Sequence, residues 1–496
     1  MNKREKLLKT IPWLILAASL LGALAVIGVS SFIQPGSSSI STIMAILVAL
    51  LPGLFVVGRR TRAGKEFGKR QLQSFSKLAN RLSALLLLVN FSFLLIPFAH
   101  LRWQMKHQVW FTWLPVVILY GLLAISRVLV VWRSRGRTSS LQKTNSSRET
   151  FIDFARGFAI VLAVGSHAFY AFGYDVLFGA AMYKVMSITR LATPSFVLIT
   201  GMMFELVYYR KAEKHGFKSM AKSLVSRALQ CFLAYLITVL IEWFGLQLTT
   251  SEALRAAVFL GNSLFSGILQ FYALFLLLAI AIIWLRKRFG IWLIASLPLL
   301  VWLVDPLFWR LTWPAADQPL GHLTALFFGH PAVSNFSVWH SLMFMSFGML
   351  LGVVFKRSRQ AGNYRDFQLT LLGLFAVCLL VSLASVIPLN GQDFFYLFSN
   401  EYRLQHRLPY YSIGSMGAFL LIWITWRMRR FLSKPWLEHT VTTLGKDSLW
   451  AFAVGNSLAA VLPVISHQTW YVVVFTLAVL GGSVLVIEGK KLIPIT

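Results

Sequence analysis

The chain has 496 residues, 57% of them hydrophobic and only 13% charged, and its mean hydropathy is +0.69. Such a composition excludes an ordinary soluble domain and defines a membrane protein. The net charge of +30 does not point to nucleic acid, because its 47 Lys and Arg are scattered over many short loops and build no basic domain.

A membrane helix needs about 17 to 25 apolar residues. Runs of that kind occur near 11–33, 39–57, 82–99 and 110–132. After a polar interval they resume near 151–174, 190–209, 223–246, 267–285, 289–305, 337–355, 368–389, 409–426, 447–465 and 469–488. The expected fold class is an all-α polytopic membrane protein of about fourteen transmembrane helices. Lys3, Arg4, Lys6 and Lys9 precede the first run, which is too long for a signal peptide and lacks a small-residue cleavage site, so it reads as an uncleaved helix. With the N-terminus inside, most Lys and Arg fall in cytoplasmic loops, as the positive-inside rule requires, and the C-terminus is also cytoplasmic. The most basic of these loops, 58–81, anchors the topology and should attract anionic membrane lipids.

The stretch RSRGRTSSLQKTNSSRET at 133–150 reads as a basic cytoplasmic linker. It separates an accessory four-helix membrane region, 1–132, from a ten-helix core, 151–496, which carries nearly every polar group within a span. No external segment is long enough for a soluble catalytic domain, so any reaction must occur among the helices. Cys231 and Cys378 lie within predicted helices and define no disulfide framework. The ten His residues show no metal-ligand spacing, and no metal is expected.

The first core helix, FIDFARGFAIVLAVGSHAFYAFGY, contains Asp153, Arg156 and His167. At about 100° per residue, the eleven steps from Arg156 to His167 rotate the side chain by only about 20°, and Asp153 precedes Arg156 by three. The three are expected on one stripe, with His167 roughly 16 Å deeper than Arg156, near the midplane of a core about 30 Å thick. Taken alone, His167 is either hydrogen-bonded between helices or a functional group, and Arg156 could be an interfacial charge paired with Asp153.

Arg156, ten residues and His167, introduced by IDFARG, resemble the first core helix of the membrane-bound acyltransferase superfamily, which includes acyltransferase family 3, the periplasmic glucan succinyltransferases and the heparan glucosaminide acetyltransferases. ATPSFVLITGM at 192–202 resembles the small-residue motif of the family's next helix, and LGKDSLW at 444–450 resembles its late Leu-Gly-x-x-Ser motif. The first 150 residues lie outside the resemblance. There are two departures. Lys222 and Arg227 are only a loose counterpart of the paired arginines often found on the third core helix, and Asn456, eight residues after Ser448, follows the late motif where a histidine is usual.

The resemblance implies an integral membrane acyltransferase of the inner or plasma membrane. It would move an acetyl- or succinyl-type group from a cytoplasmic acyl-CoA to a hydroxyl or amine of an extracytoplasmic glycan or glycolipid. It casts His167 as general base, Arg156 as a phosphate contact for the donor, and Asp153 as the group orienting Arg156. Tyr170, Thr200, Arg227 and Ser448 are the expected substrate contacts. Direct transfer and an acyl-histidine intermediate are both open. The alternative is a transporter or flippase, although no internal repeat is evident, and Pro97, Pro115, Pro194 and Pro298 interrupt predicted helices without symmetric pairing.

Other polar positions have plainer readings. Thr200 and Gly201 suit close helix packing. Glu205 and Glu242 lie near predicted helix ends and are expected to reach water. Ser166, Tyr170 and Tyr174 line a cavity or belong to an aromatic belt. On the outer side Trp309, Trp313, His322, His330, Trp339 and His340 would offer a sugar-binding surface or an aromatic girdle.

Overall fold

The computed structural model describes residues 149–244, 248–310, 318–329, 336–386, 394–432, 441–461 and 469–492. The four expected N-terminal helices and nearly all of the linker lie outside them, as do Trp313 and His330. Among the described residues the chain is helical, without a strand. Ten principal helices are numbered here: α1 Thr150–Phe172, α2 Ala192–Met203, α3 Phe217–Phe244, α4 Gly267–Phe289, α5 Ile291–Arg310, α6 Val338–Ala361, α7 Arg365–Val386, α8 Leu408–Arg427, α9 Ser448–Val461 and α10 Thr469–Leu492.

Eight helical stretches among the described residues are long and apolar enough to cross a membrane. They comprise α1, α3 to α8, and a run through Tyr174–His215 that includes α2. Helix α9 has 14 residues, and the apolar part of α10 is the shorter Trp470–Val484. All ten core elements expected from the apolar runs are therefore present as helices.

Two local expectations need correction. Pro298 does not interrupt α5, which continues through it and through Pro306, because in a membrane helix neighbouring groups satisfy the freed carbonyl. Pro194 sits in the first turn of α2, where a missing N–H is tolerated. The second core segment also begins earlier than its apolar run. Gly173, at φ 82°, ends α1, and Tyr174–Phe178 and Met182–Thr189 then lead into α2 as short helices.

Helix α1 is central, packed against α2, α8, α9, α10 and the short helix Val441–Lys446. Between helices in lipid the attraction comes from close packing rather than from the exclusion of water, and glycines permit that approach. A methyl group at Gly201 would fall on the Met345 carbonyl oxygen, and one at Gly348 on the Leu198 carbonyl oxygen, so α2 and α6 meet backbone to backbone. Gly201 is thus a packing residue. Helices α5 and α7 lie at the periphery with apolar side chains outward, Leu303, Leu307, Leu372 and Leu380 among them.

Candidate active site

The site is built by two helices running side by side in the same direction. Helix α9 carries Ser448, Phe452 and Asn456 at steps of four, which places them on one stripe. Helix α1 carries Arg156 and His167 at a step of eleven. Arg156 donates through Nη2 to Ser448 Oγ. Deeper along the pair, His167 Nδ1 and Asn456 Oδ1 are 2.8 Å apart.

The Asn456 contact orients the imidazole. Its amide Nδ2 donates to the Phe265 carbonyl at 2.5 Å, so Oδ1 faces His167 as an acceptor. His167 Nδ1 must then carry the proton, and in the neutral ring Nε2 keeps its lone pair. Glu242 holds the Phe265 loop in place. It accepts Ser263 Oγ at 2.7 Å, Leu264 N–H at 3.0 Å and Phe265 N–H at 3.1 Å. Glu242 is fully buried, contrary to the expectation that it reaches water, because the loop folds back over the end of α3. Glu205 is buried too, 3.3 Å from Arg286 in an ion pair.

Two cavities lie along this helix pair. The one beside Arg156 has a volume of about 260 Å³ and is lined by Thr200, Tyr208, Arg227, Tyr272 and Ser448, with Phe196, Met203 and Leu276 as apolar wall. Thr200 Oγ1 donates to the Phe196 carbonyl at 2.8 Å and lies 3.0 Å from Tyr272 Oη. Arg227 Nη1 donates to Gln230 Oε1 at 3.0 Å. The second cavity, about 390 Å³, is lined by His167, Tyr170, Tyr174, Arg190, Arg403 and Tyr410, among others. Tyr174 Oη is 2.8 Å from Thr189 Oγ1 and donates to Ser166 Oγ at 3.1 Å. Tyr170 stands at the rim, largely exposed.

Phe452 and Ile268 line both cavities and form the partition between them. The Phe452 and His167 rings are 5.9 Å apart, edge to face.

The expected stripe is therefore divided. Arg156, Thr200, Arg227 and Ser448 share the first cavity, whereas His167 and Tyr170 share the second. Asp153 is buried and lines a third cavity, with Glu149, Arg210, Lys356 and Arg359. A three-residue step turns a helix by about 300°, or 60° backwards, enough to move Asp153 around the edge of α1 from Arg156.

Of the six residues of the expected sugar surface, the side chains of His322, Trp339 and His340 are described, and the two histidines are buried. His340 is fully buried, with Nδ1 2.9 Å from Ser337 Oγ and Nε2 2.7 Å from Asp305 Oδ1. His322 is buried, and Trp339 Nε1 donates to the Val301 carbonyl at 3.3 Å. The contacts of His340 and Trp339 are thus internal ones, as burial demands of a polar ring nitrogen.

Three functional candidates were not singled out from sequence. Asn456 was visible only as a departure from the late motif, and Arg190 and Arg403 lie in connecting segments. One helical membrane protein thus holds an oriented imidazole and several guanidinium groups in two neighbouring cavities. Residues 149–488, more than two thirds of the chain, match the family model described as an acyltransferase domain, and the chain belongs to acyltransferase family 3. A comparison with curated proteins finds none that matches.

Proposed function

We propose that the protein transfers an acyl group from cytoplasmic acyl-CoA to a hydroxyl group of an extracytoplasmic glycan or glycolipid, across an inner or plasma membrane. The observation that carries this reading is the pairing of Arg156 with Ser448 in one cavity and of His167 with Asn456 in the next. Donor and acceptor can then approach the partition from opposite sides. Family membership supports this reading over the transporter alternative.

In the proposed reaction the acceptor hydroxyl enters the cavity that His167 faces. Its oxygen attacks the thioester carbonyl carbon while His167 Nε2 takes the hydroxyl proton. A C–O bond forms, the C–S bond breaks, and the departing thiolate takes the proton back from the imidazolium. Arg156 and Arg227 supply planar, permanently charged groups for donor phosphates or the thioester oxygen. Phe452 must turn aside for the acyl carbon to meet the acceptor, which also keeps water from the thioester until then. Direct transfer is the course this reading takes, with His167 as a base on the acceptor's side of the partition. Asp153, in its own cavity, belongs to the mouth on the Arg156 side.

The direct test uses the purified full chain in proteoliposomes, with labelled acyl-CoA on the face nearer Arg156 and a glycan acceptor on the other. Label should appear in the glycan. Failure to label any acceptor, with donor bound, would overturn the reading.

Two variants refine it. Arg156→Ala should weaken donor binding by about tenfold or more, the loss typical of a charged hydrogen bond, and Arg156→Lys by less. Equal donor affinity in both, measured by titration with a non-hydrolysable thioester analogue, counts against a guanidinium contact. Asn456→Leu should reduce kcat by roughly tenfold while donor KM holds, since it removes one hydrogen bond that selects the tautomer. An unchanged kcat would show that Asn456 does not orient the base.

A further inference from the structure

The cavity that His167 faces contains two guanidinium groups that the proposed chemistry does not use. Arg190 follows the short helix Met182–Thr189, and Arg403 lies in the helix Asn400–Leu404. Both line the cavity, together with Tyr174 and Tyr410. They share that wall with His167. Arg190 Nη1 and Arg403 Nε are buried and have no hydrogen-bond partner among the described residues. The cavity wall includes no carboxylate, and none pairs with either arginine among the described residues.

Two like charges lining one cavity repel each other, and each carries a buried donor that is costly to leave unmade. An interfacial arginine that merely reached for lipid headgroups would keep its nitrogens exposed, whereas Arg190 Nη1 and Arg403 Nε are buried in the protein. What relieves both costs is an anion in the cavity, and planar guanidinium forks match the oxygens of a phosphate or carboxylate.

We propose that Arg190 and Arg403 form an oxyanion site that selects an acceptor bearing a phosphate or carboxylate close to the hydroxyl being acylated. The inference rests on the reading that this cavity admits the acceptor. Binding of the oxyanion beside Arg403 brings the neighbouring hydroxyl toward His167, so the two arginines act as specificity determinants. A dicarboxylic acyl group, such as succinyl, would present the same chemistry from the donor side, and the experiment separates the two sources.

The full chain in phosphatidylcholine nanodiscs is titrated with glucose 1-phosphate, glucuronate and glucose, and in parallel with acetyl-CoA and succinyl-CoA. Both anionic sugars should bind at least tenfold more tightly than glucose. Arg190→Gln and Arg403→Gln should each remove that preference, roughly tenfold or more, while leaving acetyl-CoA affinity intact. Retained acetyl-CoA binding shows that a variant is folded, and Arg190→Lys and Arg403→Lys should keep part of the preference. The proposal fails if wild-type protein binds glucose as well as the anionic sugars, or if the glutamine variants keep the preference. It also fails if the arginines affect succinyl-CoA alone, which would assign the oxyanion to the acyl group. Arginine-dependent sugar binding without any acyl transfer would instead leave the oxyanion site standing and refute the transfer reaction.

Discussion

His167→Ala is expected to lower acyl transfer by roughly two to four orders of magnitude, the usual contribution of a positioned general base. The loss should fall on kcat, with donor binding preserved, because His167 lies on the far side of the Phe452 and Ile268 partition from Arg156 and Ser448. His167→Gln should be as inactive, since an amide has no basic lone pair to replace Nε2. The measurement is transfer of labelled acyl groups from a thioester to cell-envelope glycan, in membranes carrying equal amounts of each variant. Labelling equal to wild type would remove His167 from the reaction. A large defect confined to donor affinity would place the histidine in the wrong cavity.

The position of His167 was readable because helical geometry is local. Eleven residues at about 100° each fix its direction relative to Arg156 whatever the rest of the chain does. The ten core helices were readable for a related reason: a bilayer imposes a length and an apolarity that few other structures share. What lay between the helices was not. The second core segment gains short helices from Tyr174 onward, whose residues lack a continuous apolar run, and Gly173 alone hints at the break.

Partnerships across the fold were the least legible. Asn456 stands 289 residues from His167, and its meaning depends on α1 and α9 lying parallel, which no local pattern states. The spacing of Ser448 and Asn456, two steps of four, was nevertheless available and put both on one helix face. Glu242 was misread because a helix end was equated with water, whereas the following loop returned to bury it. Arg190 and Arg403 had a usable signal. Arg403 falls in a segment that charge bias assigns to the outer side, and Arg190 stands at the outer end of the run 190–209, so each is an exception to the expected scarcity of basic residues there.

Helix α1 meets the helix Val441–Lys446, which precedes α9, at two glycines, and Gly445→Ala should expose that contact. A methyl group at Gly445 would fall on the Asp153 carbonyl oxygen, and one at Gly157 on the Val441 carbonyl oxygen, so α1 and the helix Val441–Lys446 touch through backbone at two points. Neither side can yield by changing a rotamer. The cost should therefore reach or exceed the upper part of the usual range for overpacking, about 3 kcal/mol. Because Ser448 is three residues beyond Gly445, the displacement would also draw Oγ away from Arg156. We expect a lower thermal unfolding midpoint in detergent and a weakened donor affinity in the fraction that remains folded. Gly373→Ala in α7, where no described atom lies within 4 Å of an added methyl, is the matched control and should leave donor affinity unchanged without lowering the midpoint. Equal midpoints for the two variants would mean that α1 and the Val441–Lys446 helix do not meet at their backbones, and the placement of Ser448 against Arg156 would lose its structural cause.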